Sequence, residues 1–580
     1  MNSINNINQL FNKGLQFFQN GKTDDAVNLF EKILKIEPNN LKANHALGVI
    51  YGKLLKHDKA KKYFEKALNN KPDFTPSLLN LAISLCELEE FSESENILNN
   101  LIQNDQSDPN LFIHLGNCLY KQDKLDQAEL IFSKSINLNS SIPEPYIKIG
   151  FIKKKLKDYD QTISFFLKVL ELDKNNINII YQIGETLYLK ESYSEAITYF
   201  DKTIALSSDQ NLIFNSKERM ARSYDYIKDY DKSIELFKDI LDSNLTDQIK
   251  ERILSSLSNV YINKNDKDFD ADYSLGQYYA QETLKINKNN LTALNNMGIT
   301  SLYMQNLKLS LEYFEKAIAI DPKHTPSLKN IANAYDHIGL YEKNIETIEK
   351  YKKIKPNDKS LDTNLAMSLL SLGKFSEGWK FYEDRWNNKK ADGTIKIMPN
   401  FGKPKWQPEL GYGTILVWGE QGIGDQILHG TMLEGFSRRF KKAYLAIDPK
   451  LVRLFQDSFP NIEVYSLFDE TSRDFFDYHI PLCSIGAYCR QSYHDFFPLK
   501  KYYQIKSSDE FKRNKKLKCA LSWKSINGNK SDFKSTSLES LKKILELKNI
   551  DFYSIQYSEA EDEISQLKKN YGITVQTVDG

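Results

Sequence analysis

A glycine-rich turn, Gly419 to Asp425, is the segment of this sequence best suited to hold a charged ligand. It reads Gly-Glu-Gln-Gly-Ile-Gly-Asp and lies between an apolar run, Thr414 to Trp418, and an amphipathic segment. Glycines allow a sharp turn, and the free N–H groups where a helix begins attract anions. The glycine order G-x-x-G-x-G differs from the dinucleotide fingerprint, and no Gly-Lys-Ser/Thr follows it. We therefore predict an anion-binding turn built on Gly422 and Gly424 that holds neither NAD nor FAD.

Polar side chains near this turn are the next candidates for a site. His429 follows Asp425 by four residues, so one face of a helix would carry both; a packing role is the alternative for the histidine. His479, in the strand-like run Phe476 to Pro481, is a candidate for the same cleft. Two Lys-Ser pairs flank the first turn after the apolar run that ends at Trp523. They could bind a diphosphate, or they could belong to a solvated surface: Lys524, Ser525, Lys534 and Ser535. No cluster of metal-ligating residues is evident, so no metal is predicted.

Short apolar runs alternate with amphipathic segments in the last third of the chain, which predicts a parallel, doubly wound α/β sheet. The predicted strands are Thr414–Trp418, Ala443–Ile447, Ile462–Leu467, Tyr478–Leu482, Cys519–Trp523, Phe552–Gln556 and Ile573–Val578. The predicted helices are Gln426–Phe440, Leu451–Phe459, Leu538–Leu547 and Glu559–Asn570. These elements form two Rossmann-like units, 413–499 and 517–580, joined by a basic linker at 500–516. A Pro- and Gly-containing linker at 391–412 precedes them.

The first two thirds of the chain repeat with a period of 34 residues. A small residue returns at Gly14, Gly48, Ala82, Gly116, Gly150 and Gly184. A large apolar residue follows each one at a fixed spacing, at Phe30, Phe64, Leu98, Phe132, Phe166 and Phe200. Small residues allow two helices to approach closely, and the large ones fill the groove beside them. Prolines such as Pro38 and Pro72 fall where the second helix must end. Each period therefore predicts one helical hairpin.

This pattern resembles the tetratricopeptide repeat (TPR), and we predict about eleven hairpins over residues 7–390, with a divergent unit at 248–290. The resemblance implies an all-α superhelix whose concave surface binds a protein or peptide. Stacking alone, without any partner, is the alternative. An asparagine amide both donates and accepts, so it can bind an extended peptide backbone. The candidates on first helices are Asn44, Asn80, Asn117, Asn295 and Asn330.

The segment Ile415–Leu428, with Gly373–Trp379 and Tyr382–Trp386 before it, resembles TPR units fused to a GT-B-type glycosyltransferase domain. Its Gly-x-Gly-Asp turn is similar to that of the heptosyltransferase-like families, and the outline is similar to the O-linked N-acetylglucosamine transferases. Cys519–Ser525 and Phe552–Tyr557 resemble the start of the nucleotide-sugar-binding half. The resemblance implies a nucleotide-sugar as donor substrate and no cofactor. Because complete members continue with further strands, the second half is expected to be truncated.

The resemblance also places a role on Asp425, because the aspartate of this turn is the general base in the heptosyltransferase-like families. A carboxylate within hydrogen-bond distance can take the proton of an attacking hydroxyl. An aspartate directly before a helix is also a preferred N-cap, which stabilises the helix by about 1 kcal/mol without any catalysis. Both roles stay open for Asp425.

Composition narrows the classes of partner. Lys and Arg number 78 against 77 Asp and Glu, a net charge of +1, so nucleic acid is not an expected partner. No apolar stretch is long enough to span a membrane and no secretory signal opens the chain, so we predict a cytoplasmic protein. The five cysteines contain no Cys-x-x-Cys pair, which argues against a zinc site or a disulfide framework.

Two functions are consistent with these observations. In the first, the chain is a glycosyltransferase that modifies a hydroxyl of a protein or glycan, with the repeats selecting the acceptor. In the second, the chain is a non-catalytic scaffold whose repeats hold partner proteins, and its C-terminal region is degenerate or incomplete.

Overall fold

The computed structural model describes residues 2–265, 272–386, 398–467, 475–496, 503, 516–523, 536–556 and 560–577. The chain divides into two compact units, Met1–Leu245 and Thr246–Gly580, which we call unit 1 and unit 2. None of the helices in the described part of the chain is long and apolar enough to cross a membrane.

Unit 1 consists of helical hairpins. Its helices are α1 (Asn2–Gln19), α2 (Thr23–Ile36), α3 (Leu41–Lys53), α4 (His57–Asn70), α5 (Thr75–Glu87), α6 (Phe91–Asn104), α7 (Pro109–Lys121), α8 (Leu125–Leu138), α9 (Pro143–Lys155), α10 (Tyr159–Leu172), α11 (Ile177–Leu189), α12 (Tyr193–Leu206), α13 (Gln210–Tyr226) and α14 (Tyr230–Leu241). Each odd-numbered helix pairs with the even-numbered helix after it, as the 34-residue period predicts. Buried apolar clusters join successive hairpins, for example around Leu98, Phe132 and Ile149.

A glycine against a phenylalanine ring closes five of the seven hairpins of unit 1. Phe64 is 1% exposed, and a β-carbon added to Gly48 would lie 2.5 Å from its Cε1 atom. The same approach under 3.0 Å occurs for Gly14 on Phe30, Gly116 on Phe132, Gly150 on Phe166 and Gly184 on Phe200. A ring that fills the space of a missing side chain brings two helices close together, so the predicted role of the small residues is confirmed.

The turn inside each hairpin contains one residue in the left-handed region. In the second hairpin this residue is Leu55, with φ of 56°. The N–H of Leu55 donates to Gly52 O at 3.0 Å, and the N–H of Lys56 donates to Tyr51 O at 2.9 Å. This pattern is a Schellman motif, which satisfies the last carbonyls of the helix. The equivalent residues are Gly21, Glu89, Asp123, Lys157, Glu191 and Lys228.

Unit 2 begins with four further hairpins. Their helices are α15 (Asp247–Asn265), α16 (Ser274–Ile286), α17 (Leu291–Tyr303), α18 (Leu307–Ile320), α19 (Thr325–His337), α20 (Tyr341–Ile354), α21 (Asp362–Ser371) and α22 (Phe375–Tyr382). The described residues thus contain eleven hairpins in all, the number that the period predicts. The first of these four is the divergent unit, and residues 266–271 between its two helices lie outside the described residues.

Two parallel sheets follow the hairpins in unit 2. The strands are β1 (Thr414–Trp418), β2 (Lys442–Ile447), β3 (Glu463–Ser466), β4 (Tyr478–Pro481), β5 (Leu517–Leu521), β6 (Ile550–Ser554) and β7 (Gln576–Thr577). The first sheet has the order β3-β2-β1-β4 and the second the order β5-β6-β7, with every pair parallel. In the first sheet, Ile415 is in register with Ala443 on one side and Tyr478 on the other. The predicted parallel strands are therefore confirmed, whereas the GT-B assignment stays a prediction.

Short helices connect the strands, and they differ from the sequence expectation in length. They are α23 (Ile423–Gly430), α24 (Leu433–Ser437), α25 (Val452–Ser458), α26 (Gly486–Cys489), α27 (Lys542–Leu545) and α28 (Glu561–Tyr571). The single helix predicted from Gln426 to Phe440 is two helices, because the backbone turns at Thr431 and Met432. Phe436 and Leu433 still face the core, which is why the amphipathic pattern runs through the break.

Residues 398–412, predicted as part of a linker, pack onto the first sheet. Trp406 is 1% exposed and belongs to the main core of this region. Its backbone N–H donates to His479 O at 2.8 Å, and the N–H of His479 donates to Pro404 O at 3.1 Å. The buried indole anchors this segment against β4, so the prolines and glycines mark an irregular edge of the sheet region.

Candidate functional site

A cavity of about 240 Å³ opens among the first helices of consecutive hairpins in unit 1. We call it the unit 1 groove. Its lining combines an apolar side, contributed by Ala82, Ile83, Cys86 and Leu98, with polar and aromatic groups from α7 and α9. These groups are His114, Asn117, Tyr120, Lys121 and Lys148, with Glu87 from α5. The repeat geometry therefore places apolar and polar side chains around one opening.

Asn117 is the predicted site residue that the structure places in this groove. Its Nδ2 donates to Glu144 Oε1 at 3.1 Å, while its buried Oδ1 has no hydrogen-bond donor within the described structure. Lys121 is neutralised by Glu87, with Nζ and Oε2 2.5 Å apart. Lys148 lies over the Tyr120 ring at 5.9 Å and forms no ion pair with a described carboxylate. The groove thus offers one unused acceptor and one uncompensated ammonium group.

The other predicted asparagines have intramolecular partners. Asn44 is fully buried, and its Nδ2 donates to Pro38 O and Asn40 O, each at 3.1 Å. The Nδ2 of Asn80 donates to Pro76 O at 2.7 Å within its own helix. In unit 2, Asn330 Nδ2 donates to Asn295 Oδ1 at 3.0 Å. Burial therefore removes Asn44 from any peptide, and Asn295, which is 7% exposed, ties two successive first helices together.

The turn after β1 leads directly into helix α23. Gly422 is the residue that caps the helix, with extended φ and ψ of −60° and 166°. Asp425 is therefore the third residue of the helix, so the alternative that it is the N-cap does not hold. A carboxylate in the first turn still interacts favourably with the helix dipole. Asp425 is exposed, and a β-carbon on Gly424 would meet no atom within 4 Å, so the turn opens to solvent.

Behind this turn, Arg385 forms a buried ion-pair network that we call the arginine cluster. Its guanidinium donates to both Glu420 oxygens, at 2.6 and 3.2 Å. The other N–H groups donate to Ser484 Oγ at 2.7 Å, Glu383 Oε1 at 2.9 Å and Tyr382 O at 3.1 Å. All five donors of the side chain are used. The cluster fixes Glu420, the second residue of the glycine-rich turn, to the end of the last repeat.

Electrostatics in the arginine cluster follow from this burial. Burial alone would raise the pKa of Glu383, but Arg385 and Lys405 outweigh it and lower the pKa to about 2. Burial raises the pKa of Tyr382, which packs its ring against the Arg385 guanidinium at 4.5 Å. The cluster therefore holds the charged Glu383 carboxylate and Arg385 guanidinium beside the neutral Tyr382 ring.

His429 lies beside the cluster, on the α23 face that Asp425 begins. Burial lowers the pKa of His429 to about 4, with Arg385 acting in the same direction and Asp425 opposing it. Its ring packs between Trp379 and Tyr382, at 6.2 and 6.3 Å, and Nδ1 is buried without a described partner. The packing alternative thus describes this histidine, which is neutral at pH 7.

His479 is a structural residue of β4. It is 4% exposed, and its Nδ1 lies 3.2 Å from the Trp418 indole nitrogen, which donates to it. Burial lowers the pKa of His479, and Lys405 adds to the effect. The expected cleft role is not consistent with this burial between β1 and the Trp406 segment. The four predicted diphosphate residues, Lys524, Ser525, Lys534 and Ser535, lie outside the described residues.

The sequence analysis missed the arginine cluster, although it quoted the segment that carries it. Arg385 and Glu420 are separated by 35 residues, and Ser484 by a further 64. The available signal was a pair of opposite charges placed among aromatic residues, Tyr382-Glu-Asp-Arg-Trp386, directly after the last helix. Apolar surroundings favour pairing of a buried charge.

Comparison with known proteins identifies the repeats. Tetratricopeptide repeat families match residues 10–40, 41–74, 143–176 and 291–324. These ranges coincide with hairpins α1–α2, α3–α4, α9–α10 and α17–α18. The chain therefore carries tetratricopeptide repeats, as the 34-residue period predicts, and repeats of this type are associated with protein–protein interaction.

Individual relatives cover parts of the chain. Protein FlbA of Caulobacter vibrioides is 23% identical over 316 residues, which are 49% of this chain and 52% of FlbA. The chain spans about half the length of this curated relative. Yeast Tom70 is 16% identical and covers 67% of this chain and 93% of its own, with a TM-score of 0.35. The C-terminal part of a TPR protein from Cytophaga hutchinsonii is 16% identical, covers 43% and 98%, and has a TM-score of 0.37.

Proposed function

We propose that this protein binds a partner protein through its repeats, and that the unit 1 groove holds an extended segment of that partner. The observation that supports this is the unused Asn117 Oδ1 beside the uncompensated Lys148 ammonium group. A buried acceptor without a donor is unfavourable by about 1–3 kcal/mol, which a backbone N–H of a bound peptide would offset.

The groove also defines the chemistry of the segment. Lys148 favours a carboxylate, because a charge-assisted hydrogen bond is roughly twice as strong as a neutral one. Ala82, Ile83 and Leu98 favour an apolar side chain next to it. The preferred ligand is therefore an extended peptide with an acidic group and a neighbouring apolar residue.

A peptide-display selection on the immobilised full-length protein tests this proposal. We expect enriched peptides to share an acidic and an apolar position, and binding to weaken roughly ten-fold in Lys148→Met. Lys134→Met, which removes an exposed lysine from α8 outside the groove, is the matched control and should bind as the wild type does. Selection of peptides without an acidic group, or equal binding by Lys148→Met, would contradict the proposal.

A second candidate function is glycosyl transfer at the turn after β1. It is supported by the position of this turn at the carboxyl end of β1, where the order β3-β2-β1-β4 changes direction. Ligands of open parallel sheets bind at such switch points. The first N–H groups of α23 have no intrahelical acceptor, and the exposed Asp425 carboxylate stands beside them. Asp425 would take the proton of an acceptor hydroxyl, while a nucleotide-sugar supplies the sugar.

Calorimetric titration of the full chain with UDP- and GDP-sugars, followed by turnover measurements, tests this second candidate. Asp425→Asn should keep donor binding and lose about 10²–10⁴-fold in rate, the range for general base catalysis. Asp562→Asn removes an exposed first-turn carboxylate from α28 and is the matched control. Undiminished turnover by Asp425→Asn would remove Asp425 from the mechanism, and absence of sugar-nucleotide binding would leave the binding function alone.

A further inference from the structure

A set of polar and charged side chains joins the first helices α9, α11 and α13 of unit 1. Lys154 of α9 donates from Nζ to Gln182 Oε1 of α11 at 2.9 Å. Glu185 follows Gln182 by three residues and therefore lies on the same side of α11. Its Oε1 lies 2.8 Å from Arg219 Nε of α13. These contacts connect three successive hairpins, and we call the four residues the basic surface.

Lys154 differs from the lysines on either side of it in α9. Lys153 pairs with Glu129 at 2.7 Å. Lys155 pairs with Asp123 at 2.5 Å. Lys154 instead donates to a neutral amide, and no carboxylate in the described part of the chain lies within ion-pair distance of its Nζ. Burial lowers the pKa of this half-buried ammonium group. A partly desolvated cation without a counter-charge favours an anion from outside the chain.

Arg219 supplies the second cation of the basic surface, and an aromatic ring holds it in place. Its guanidinium carbon lies 4.9 Å from the centre of the Tyr188 ring, and its side chain is 38% exposed. Burial raises the pKa of Tyr188 to about 12, so this ring adds no negative charge at neutral pH. A guanidinium has five N–H donors in a planar fork that matches the oxygens of a phosphate. Because Glu185 can neutralise only one of the two cations, the basic surface carries net positive charge.

We propose that Lys154 and Arg219 bind a phosphate monoester, carried on a phosphorylated side chain of the partner protein. Such a group has a charge of about −1.5 to −2 at pH 7 and three acceptor oxygens, so it can use the donors of both cations. Lys148 of the groove precedes Lys154 in α9 by six residues, about 9 Å along the helix, which roughly three extended residues span. This site rests on the proposed function, because the phosphorylated segment is the one that the unit 1 groove holds.

Titration with phenyl phosphate tests the anion site without any peptide. The ester is added to the full-length protein at constant ionic strength, and its phosphorus NMR signal reports binding. We expect saturable binding that weakens about ten-fold in Lys154→Met, because a hydrogen bond to a charged group is lost. Lys155→Met removes the exposed lysine next to it in α9 and is the matched control, which should bind as the wild type does. Absence of saturable binding, or equal binding by the two variants, would overturn the proposal.

Degenerate peptide pools test whether a protein segment carries the phosphate. Labelled nonapeptides with a central phosphotyrosine, phosphoserine, glutamate or serine are compared on the wild-type protein by fluorescence anisotropy. We expect a phosphorylated pool to bind about ten-fold more tightly than the glutamate pool, and Lys154→Met to lose this gain. Equal affinity of the phosphorylated and glutamate pools would contradict the phosphate site, since one negative charge would then suffice. Tighter binding of a single-stranded oligonucleotide than of any phosphorylated pool would also contradict it, in favour of nucleic acid.

Failure of the phosphate site can be told apart from failure of the proposed function. The pools are compared on the wild-type chain, so their result holds even where a variant fails to fold. If the display selection yields acidic peptides and phosphorylation brings no gain, only the phosphate site fails. If phenyl phosphate binds through Lys154 but no peptide pool binds, the proposed function fails, and with it the phosphorylated segment.

Discussion

The regular hairpins and the arginine cluster stabilise buried structure in opposite ways. In the hairpins, one contact recurs many times, with a phenylalanine ring against the backbone of a glycine, as in Gly48 with Phe64 and Gly150 with Phe166. At the turn after β1, one guanidinium makes five hydrogen bonds, two of them to the fully buried carboxylate of Glu420. The first arrangement depends on shape and the second on charge.

This difference teaches which substitutions each region tolerates. Two hairpins have alanine at the glycine position and a smaller side chain at the phenylalanine position. One pairs Ala82 with Leu98, and the other pairs Ala332 with Ile348. Volume added on one helix is thus removed from the other, as expected for well-packed cores. The arginine cluster has no such exchange, because a planar fork with five donors has no substitute among the other side chains.

Loss of the Arg385 side chain should have the largest effect on stability. Arg385→Met removes the guanidinium that binds both oxygens of the buried Glu420 carboxylate, and breaking one side of a buried pair is unfavourable by about 3–5 kcal/mol. Thermal and urea unfolding of the full chain measure this loss in the transition of unit 2. Arg438→Met is the matched control, since Arg438 and Glu434 are both exposed and such pairs contribute about 0–1 kcal/mol.

A double variant makes that prediction sharper. Arg385→Met combined with Glu420→Gln also removes the buried carboxylate charge that Arg385 compensates, so we expect this double variant to be more stable than Arg385→Met alone. Equal stability of the Arg385 and Arg438 variants would show that the cluster is not the buried ion pair described above.

Adding a methyl group to a hairpin glycine should have the next largest effect. Gly48→Ala places a β-carbon against the Phe64 ring, and overpacking of this kind costs about 1–3 kcal/mol. Gly52→Ala, four residues later in α3, is the matched control, because its nearest neighbour would be Ala60 Cβ at 4.0 Å. Since alanine favours helix by about 1 kcal/mol over glycine, the control should be stabilised. Opposite signs in chemical denaturation would confirm the role of the contact.

Titration of His429 should lower the free energy of unfolding by roughly 1–2 kcal/mol between pH 7 and pH 5. Its folded pKa is about 4, below the ordinary value of 6.5, so the unfolded chain binds the proton more tightly. This contribution to stability is complete above pH 6.5 and is lost as pH falls toward 4. Glu383, whose folded pKa is about 2, changes the stability only at lower pH. His429→Gln should therefore flatten this part of the pH profile of unfolding.

An unaltered slope of the free energy of unfolding between pH 7 and pH 5 in His429→Gln would mean that the histidine is not held neutral by its packing against Trp379 and Tyr382.

The same contrast explains how much the sequence could predict. The hairpins can be predicted from the period, because a small and a large apolar residue, such as Gly48 and Phe64, return at equal spacing. Each such pair forms the same kind of local contact. The strands of both sheets follow from apolar runs, and Thr414–Trp418 has the predicted bounds. The arginine cluster joins Arg385, Glu420 and Ser484 across long separations, which no local pattern encodes. The start of α23 was missed by three residues, because the helix begins at Ile423 after the Gly422 cap, whereas the sequence analysis began it at Gln426.

Substitutions in the hairpin turns should have the smallest effect on stability. Equivalent turn positions share one left-handed backbone conformation but carry different side chains. Leu55 is 79% exposed with φ of 56°, a conformation unfavourable for leucine by about 1 kcal/mol or more. Leu55→Gly should therefore stabilise unit 1 by about 1 kcal/mol, since little packing is lost. At the equivalent position of the first hairpin, Gly21 has φ of 75° and open space around it, so Gly21→Ala should destabilise by a similar amount. Denaturant midpoints of the two variants check this. Shifts of the same sign would show that side-chain packing, and not the left-handed backbone, determines stability at these turns.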